Sequence, residues 1–251
     1  MTVTNSLNNE CLNDFTVSGA SGAARTCRVE NTNNTGGSNA ISEVYVGGTS
    51  AGDPYVRHTV GSSHSYALGI DNSDSDRWKL SHASDATATP SSADNILNVT
   101  TGGTWRRPMT PLFEAYVGTN ITLVQNQTIV FDQENFDQGS NFDVSTGRYT
   151  CPVAGTYVFF TSIAQSLVTA TNNNGYIYIY HSGSSLNQSA NIFNPSLCRD
   201  ASNLLSFFNV LVYNAAASDY FSITVENDTA GGAETTTVLA DESRFSGYLL
   251  G

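Results

Sequence analysis

The chain has 251 residues and a formal net charge of −12, so it is long enough for one large or two modest domains. Its 10 basic residues against 22 acidic ones argue against nucleic acid and anionic membrane surfaces as partners, because both are bound through Lys and Arg. The first twenty residues lack a basic start and an apolar core, so we expect neither a secretory signal nor membrane insertion.

Short apolar runs separated by many turn-forming residues predict an all-β protein. Residues 1–24 are small and polar, and we expect an N-terminal arm that is either mobile or used for attachment. Residues 25–107 predict a small β-rich module with six strand candidates, namely RTCRVENT, SEVYVGG, PYVRHTV, SYALGID, RWKLSH and ILNVTT. In the fifth candidate, Trp78 and Leu80 share one face and Lys79 lies on the other.

This module is poor in large apolar residues and would be marginal as an isolated domain, which favours three copies packed about an axis. Two prolines, Pro108 and Pro111, then favour an extended and stiff connection. We therefore predict a linker at residues 108–111 and a second domain at residues 112–251.

The second domain contains a turn, a short strand, a further turn and a long strand within NFDVSTGRYTCPVAGTYVFF, residues 141–160. In the long strand, Tyr157 and Phe159 share one face while Val158 and Phe160 share the other. Both faces are apolar, so two surfaces must cover them. One is the interior of a sandwich, and the other is either loops or a subunit interface.

Two later strands, within GYIYIYHSG and NLLSFFNVLVYN, also alternate, and their tyrosines suit a subunit interface or the rim of an ordinary core. The candidate interface residues are Tyr157, Phe159, Tyr176, Tyr178, Tyr180, Phe207 and Tyr213. Long amide-rich loops separate the strands, and loops at the end of a rigid sandwich commonly carry recognition. The candidate recognition residues are Asn172, Asn173, Asn174, Asn187, Gln188 and Asn191.

The 141–160 segment resembles the signature of the globular head of the complement recognition protein, which belongs to the tumour-necrosis-factor-like superfamily. The runs LFEAYV and TIVFD resemble that family's opening strands, and SDYFSITV and SRFSGYLL its closing strands, in the same order. The resemblance covers residues 112–251 and implies a ten-stranded jelly-roll sandwich that assembles as a homotrimer. The N-terminal module more loosely resembles β-rich modules of bacteriophage tail fibres and virion spikes, through GIDNSDSDRWKLSHAS and ILNVTTGGTW.

No pattern predicts catalysis. GTSAG at residues 48–52 fits a nucleophile elbow but is followed by a strand instead of a helix. The four histidines are scattered, and the acidic run at residues 71–76 lacks the glycine and distant glutamate of a calcium loop. Cys151 and Cys198 could pair, but we expect thiols.

We expect no cofactor and no metal. Some relatives in the resembled family bind calcium near the trimer apex, which leaves Asp132, Glu134 and Asp137 as carboxylates to consider.

Together these features predict a non-enzymatic, homotrimeric surface protein of a bacteriophage virion, made in the host cytoplasm. It would be a fibre, a spike or a capsid decoration. Its N-terminal region would contact other virion proteins, and its jelly-roll head would adhere to a host-surface glycan or protein. The alternatives are a non-viral lectin-like recognition protein and a tailspike-type polysaccharide depolymerase.

Overall fold

The computed structural model describes residues 26, 28–124, 127–167, 175–185, 191–193, 204–227 and 236–251. These residues form strands and turns, which confirms the all-β prediction. Within this described part there is no helix long and apolar enough to cross a membrane.

Five antiparallel strands form one sheet in the order of the chain. They are β1 (Tyr55–Val60), β2 (His64–Asp71), β3 (Arg77–Ala83), β4 (Asp94–Val99) and β5 (Trp105–Arg106). The first two strand candidates of the sequence are wrong, since the described residues before Tyr55 form no strand. Their apolar side chains, such as Val29 and Tyr45, are largely exposed, so pairing there would bury little surface.

One face of this sheet is buried although its residues are small or polar. The segment 85–92 covers it: Ser65 Oγ donates to the Asp85 carbonyl (2.6 Å) and accepts from the Ala88 amide (2.9 Å), while Ser81 Oγ donates to the Pro90 carbonyl (3.2 Å). The opposite face carries the larger apolar side chains and is open. The sheet therefore has the reverse of the usual arrangement, in which the apolar face is the covered one.

The remaining strands form two seven-stranded sheets. They are β6 (Leu112–Tyr116), β7 (Ile121–Leu123), β8 (Gln127–Thr128), β9 (Gln133–Gln138), β10 (Phe142–Asp143), β11 (Arg148–Thr150), β12 (Gly155–Leu167), β13 (Gly175–His181), β14 (Ser184–Ser185), β15 (Asn191–Phe193), β16 (Leu204–Ala215), β17 (Tyr220–Asn227), β18 (Thr236–Val238) and β19 (Arg244–Leu249). The first sheet contains β16, β12, β19, β6 and β9 side by side, with β18 and β7 extending it. The second contains β10, β11, β17, β13 and β14, with β8 and β15.

The two sheets pack into a jelly-roll sandwich with a single aromatic and aliphatic core. The described segments outnumber the ten predicted strands because some strands are interrupted: β18 and β19 lie end to end along the same side of β12. The change from the N-terminal sheet to the sandwich falls between Arg106 and Leu112. Independent folding of residues 112–251 stays a prediction.

The turn and strand starts predicted around residues 141–160 are present. Gly147 has a φ of +67°, and a Cβ at this position would collide with the carbonyl of Ile129, so glycine is required. Gly155 opens β12, whose thirteen residues make it the central strand of the first sheet. It pairs with β16 along one side and with β19 and β18 along the other.

We expect Gly247→Ala to destabilise the sandwich by about 1–3 kcal/mol, the usual cost of overpacking a core. A Cβ on Gly247 would lie 2.6 Å from the Phe159 ring, 2.9 Å from the Val158 carbonyl and 3.1 Å from the Phe113 ring. Urea unfolding measures the loss. The matched control is Gly102→Ala, where the nearest atom would be a hydroxyl 3.8 Å away. Equal stability of the two variants would contradict the close packing at Gly247.

Candidate functional site

The outer face of the first sandwich sheet carries an apolar strip, which we call the head face. It is formed by alternate residues of β16, β12 and β19, and its members are Phe208, Val210, Val212, Val158, Phe160 and Tyr248. Phe208 is 64% exposed and Val212 is 60% exposed. Phe160 links the strip across the sheet, with ring centroids 6.5 Å from Phe208 and 6.2 Å from Tyr248.

The head face continues into a shallow cavity of about 250 Å³ between β12, β19, β6 and β9. Leu112, Phe136 and Phe160 contribute apolar side chains to its lining. A polar border follows along β19 and β6, where Arg244 Nη1 lies 2.9 Å from Glu114 Oε1. An apolar centre with a charged rim is the usual composition of a subunit interface.

Four of the predicted interface residues point into the sandwich core and not outward. Tyr157 and Phe159 are fully buried in the sandwich core, and Phe207 and Tyr213 pack against that core. A side chain with no exposed surface cannot contact a partner subunit, so the interface assignment is wrong for Tyr157 and Phe159. Phe207 and Tyr213 point inward, which argues against an interface role for them as well. The pleat puts the opposite set of β12 and β16 side chains outside.

The other three predicted interface residues lie on β13, in the second sheet. Ile177 and Ile179 face the core, so Tyr178 and Tyr180 point outward, where they are half-buried with ring centroids 6.3 Å apart. The side chain of Tyr176 lies outside the described part of the chain. A role for Tyr178 and Tyr180 in an interface stays a prediction, and it would involve a different sheet from the head face.

The predicted recognition loops lie outside the described residues. This applies to Asn172, Asn173, Asn174, Asn187 and Gln188. Asn191 opens β15, but its side chain is not among those described. Their role in ligand recognition therefore stays a prediction.

The acidic run at residues 71–76 is a turn whose carboxylates form ion pairs with a buried lysine. Lys79 Nζ lies 2.7 Å from Asp71 Oδ2 and 2.7 Å from Asp74 Oδ2, and the Lys79 and Asp71 side chains are almost fully buried. Asp71 Oδ1 also accepts hydrogen bonds from Ser73 and from the Asp74 amide. Burial acts to raise the pKa of Asp71, but hydrogen bonds from Lys79 and Ser73 outweigh it and lower the pKa.

We expect Lys79→Met to destabilise the N-terminal sheet by about 2–3 kcal/mol at neutral pH. This is below the roughly 3–5 kcal/mol for breaking a buried pair, because Asp71 keeps its bonds from Ser73 and Asp74. The control is Arg77→Met, which removes a half-exposed ion pair with Asp74 and should cost less than about 1 kcal/mol. Fluorescence-monitored unfolding measures both, since both tryptophans of the chain lie in this sheet.

The stability of the N-terminal sheet should depend on pH through Asp71. The lowered pKa of Asp71 means that its contribution is present above the ordinary carboxyl pKa and is lost as pH falls through the lowered value. Wild-type stability of this sheet should therefore decrease on acidification below about pH 4. In Lys79→Met, protonation of the unpaired Asp71 should instead recover part of the loss. An equal decrease in both proteins would contradict the ion-pair assignment.

The histidines, which are scattered in the sequence, lie beside other ionisable side chains in two places. His64 Nδ1 and His82 Nε2 are 3.4 Å apart, and His82 Nδ1 lies 3.9 Å from Asp94. His181 Nε2 lies 2.9 Å from Asp219, and the hydrogen bond from His181 is the largest cause that lowers the pKa of Asp219. Strand pairing, which is non-local, brings these side chains together.

Two of the three carboxylates considered for calcium accept hydrogen bonds from backbone amides. Asp132 accepts a hydrogen bond from the Gly118 amide (2.7 Å) and Asp137 from the Phe142 amide (2.8 Å), while burial and the nearby Asp137 raise the pKa of Glu134. Among the described residues, no three His, Cys, Asp or Glu side chains are placed to hold a metal ion.

Cys151 is buried, and burial, followed by the nearby Asp219, raises the pKa of its thiol to about 12. Cys198 lies outside the described residues, so its pairing with Cys151 stays untested.

The sandwich is similar to the globular domain of zebrafish complement 1qA protein, with 17% identity and a TM-score of 0.41 over 57% of this chain and 98% of that one. It is also similar to murine APRIL, with 9% identity and a TM-score of 0.40 over 56% of this chain and 99% of that one. No curated protein matches in sequence. The family model of the C1q domain matches residues 112–250, more than half of the chain, and the chain therefore belongs to the C1q domain family.

Proposed function

We propose that the protein is a non-enzymatic homotrimer whose C1q-type head is displayed on a bacteriophage virion and adheres to a host-surface glycan or protein. The main evidence for a trimer is the exposed apolar head face. An exposed strip of Phe and Val side chains is unfavourable in water and is typical of a surface that a partner covers. In a C1q-type homotrimer, two sister copies would cover the head face.

The free energy available is large enough to support assembly. Removing one large aliphatic or aromatic side chain from water contributes about 1.5–3 kcal/mol. The strip presents Phe208, Val210 and Val212 from a single strand, with Phe160 and Tyr248 beside them. Repeated in each protomer, these side chains can offset the entropic cost of association, estimated at about 4–15 kcal/mol per binding event.

The mechanism of adhesion is avidity. Three weak sites on one rigid head bind the host surface simultaneously. The apparent affinity can then exceed that of a single site by about 10²–10⁴ without any better individual contact. The amide-rich loops between the strands carry the predicted sites.

Display on a virion rests on the sequence resemblance of residues 69–84 and 96–105 to phage fibre and spike modules. On this proposal, the N-terminal region contacts other virion proteins. A fibre, a spike and a capsid decoration are all consistent with it.

The test is binding of the full chain to a panel of immobilised bacterial envelope polysaccharides. We expect binding that weakens by about 10²–10⁴ in apparent affinity when the trimer is dissociated, and no release of reducing sugar. Release of reducing sugar would identify a depolymerase instead. Binding to animal or plant glycans alone would favour the non-viral lectin. Absence of binding to every glycan would overturn adhesion to carbohydrate.

A further inference from the structure

The open face of the N-terminal sheet carries two cross-strand rows of apolar side chains, which we call the shaft face. The first row is Val56, Leu68, Leu80 and Leu97, and the second is Ile70, Trp78, Val99 and Trp105. None of the eight is fully buried, and Trp105 is 68% exposed. Both tryptophans of the protein therefore lie on this one surface.

A polar row ends the apolar surface on one side. His58, Tyr66 and His82 lie opposite one another on β1, β2 and β3, and Asp94 follows on β4. The two apolar rows themselves contain no charged side chain. A compact apolar area with a polar border has the composition of a subunit interface.

The covered face of the same sheet cannot supply the missing hydrophobic stabilisation. It buries the Lys79–Asp71 pair and two serines, and a buried ion pair is weakly stabilising at best. With its apolar rows in water, the sheet gains little from the hydrophobic effect, which is the main driving force of folding. A partner on the shaft face would provide it.

The short connection to the head limits what that partner can be. β5 ends at Arg106 and β6 begins at Leu112, so the five intervening residues span at most roughly 18 Å. In a trimeric head, the three sheets are tethered at this distance, with an effective concentration of about a millimolar or more. Sister copies are thus the most concentrated partner available.

The shaft face also extends toward the head. A cavity of about 800 Å³ is lined by Leu97 and Trp105 of the sheet and by Met109 and Leu249 of the linker and head. Leu249 packs against the sandwich core at the end of β19. The cavity therefore joins the shaft face to the end of the sandwich next to the linker.

We propose that the shaft faces of three protomers pack against one another and form a second trimer interface on the N-terminal side of the head. This inference rests on the proposed homotrimer. The uncharged rows make the face self-complementary, since no partner of opposite charge is required.

Acrylamide quenching of tryptophan fluorescence tests the inference on the full chain, because both tryptophans report only on the shaft face. The measurement is made where light scattering gives three times 26.8 kDa. We expect a quenching constant several-fold below that of N-acetyltryptophanamide. A trimer whose tryptophans are quenched nearly as readily as this free compound would overturn the second interface and leave the head trimer standing. A monomer would overturn both.

A pair of substitutions on the edge strand identifies what covers the tryptophans. Val56→Lys places a charge on the shaft face, while Thr59→Lys places the same charge on the same strand, pointing away from it. Both positions are exposed, so each variant should fold. We expect quenching to rise in Val56→Lys and to stay at the wild-type level in Thr59→Lys. Unchanged quenching in both would show that the cover is not made by sister faces and would overturn the proposal.

Discussion

Replacing Phe208 by glutamate is expected to convert a species of three times 26.8 kDa into protomers of 26.8 kDa. Phe208 is the most exposed member of the head face, and the trimer would bury three copies of the new carboxylate in an apolar interface. In a protomer the same glutamate remains in water, so the sandwich should stay folded. Multi-angle light scattering measures the mass, and circular dichroism verifies the fold.

The matched control is Val153→Glu, which adds the same charge to an exposed turn of the head before β12. It should remain trimeric. If Phe208→Glu kept the wild-type mass, the head face would not be the subunit interface, and the outer face of β13 would become the next surface to test. Dissociation of both variants would indicate sensitivity to negative charge in general.

Replacing Phe159 by alanine is expected to destabilise the head by about 3–5 kcal/mol. The ring is fully buried, with its centroid 4.3 Å from that of Phe221 and 5.9 Å from those of Tyr149 and Phe245. Its loss leaves a cavity between the two sheets. Urea unfolding at one fixed protein concentration measures the effect, because the stability of an oligomer depends on concentration.

Tyr45→Ala is the control for this substitution. Tyr45 is 78% exposed in the segment before β1, so the change should alter stability by less than about 0.5 kcal/mol. A loss at Phe159 as small as that at Tyr45 would contradict the placement of Phe159 in the core.

The central strand of the head could be predicted from sequence because its signals are local. Gly155 opens it, Gly147 marks the turn before the preceding short strand β11, and alternation separates its two faces. The side that faces the core could not be predicted, since Phe159 and Phe160 are both large and apolar. That choice depends on distant strands: Gly247 of β19 leaves room for the Phe159 ring, and β17 places Phe221 against it.

The N-terminal sheet shows the same limit. Alternation correctly separates Lys79 from Trp78 and Leu80, and by itself it favours exposure of the lysine. The structure buries Lys79 because Asp71 and Asp74 neutralise it and because the same face is covered by the segment 85–92. Neither the ion pair nor the covering segment follows from the period of the strand.

The solution mass of the unmodified chain over a dilution series tests the central claim most directly. Sedimentation equilibrium should give three times 26.8 kDa with no intermediate dimer, because each head face needs both neighbours. A folded chain that sediments at 26.8 kDa at every concentration would mean that the head face is stable in water. The trimer, its avidity and the second interface would then all be contradicted.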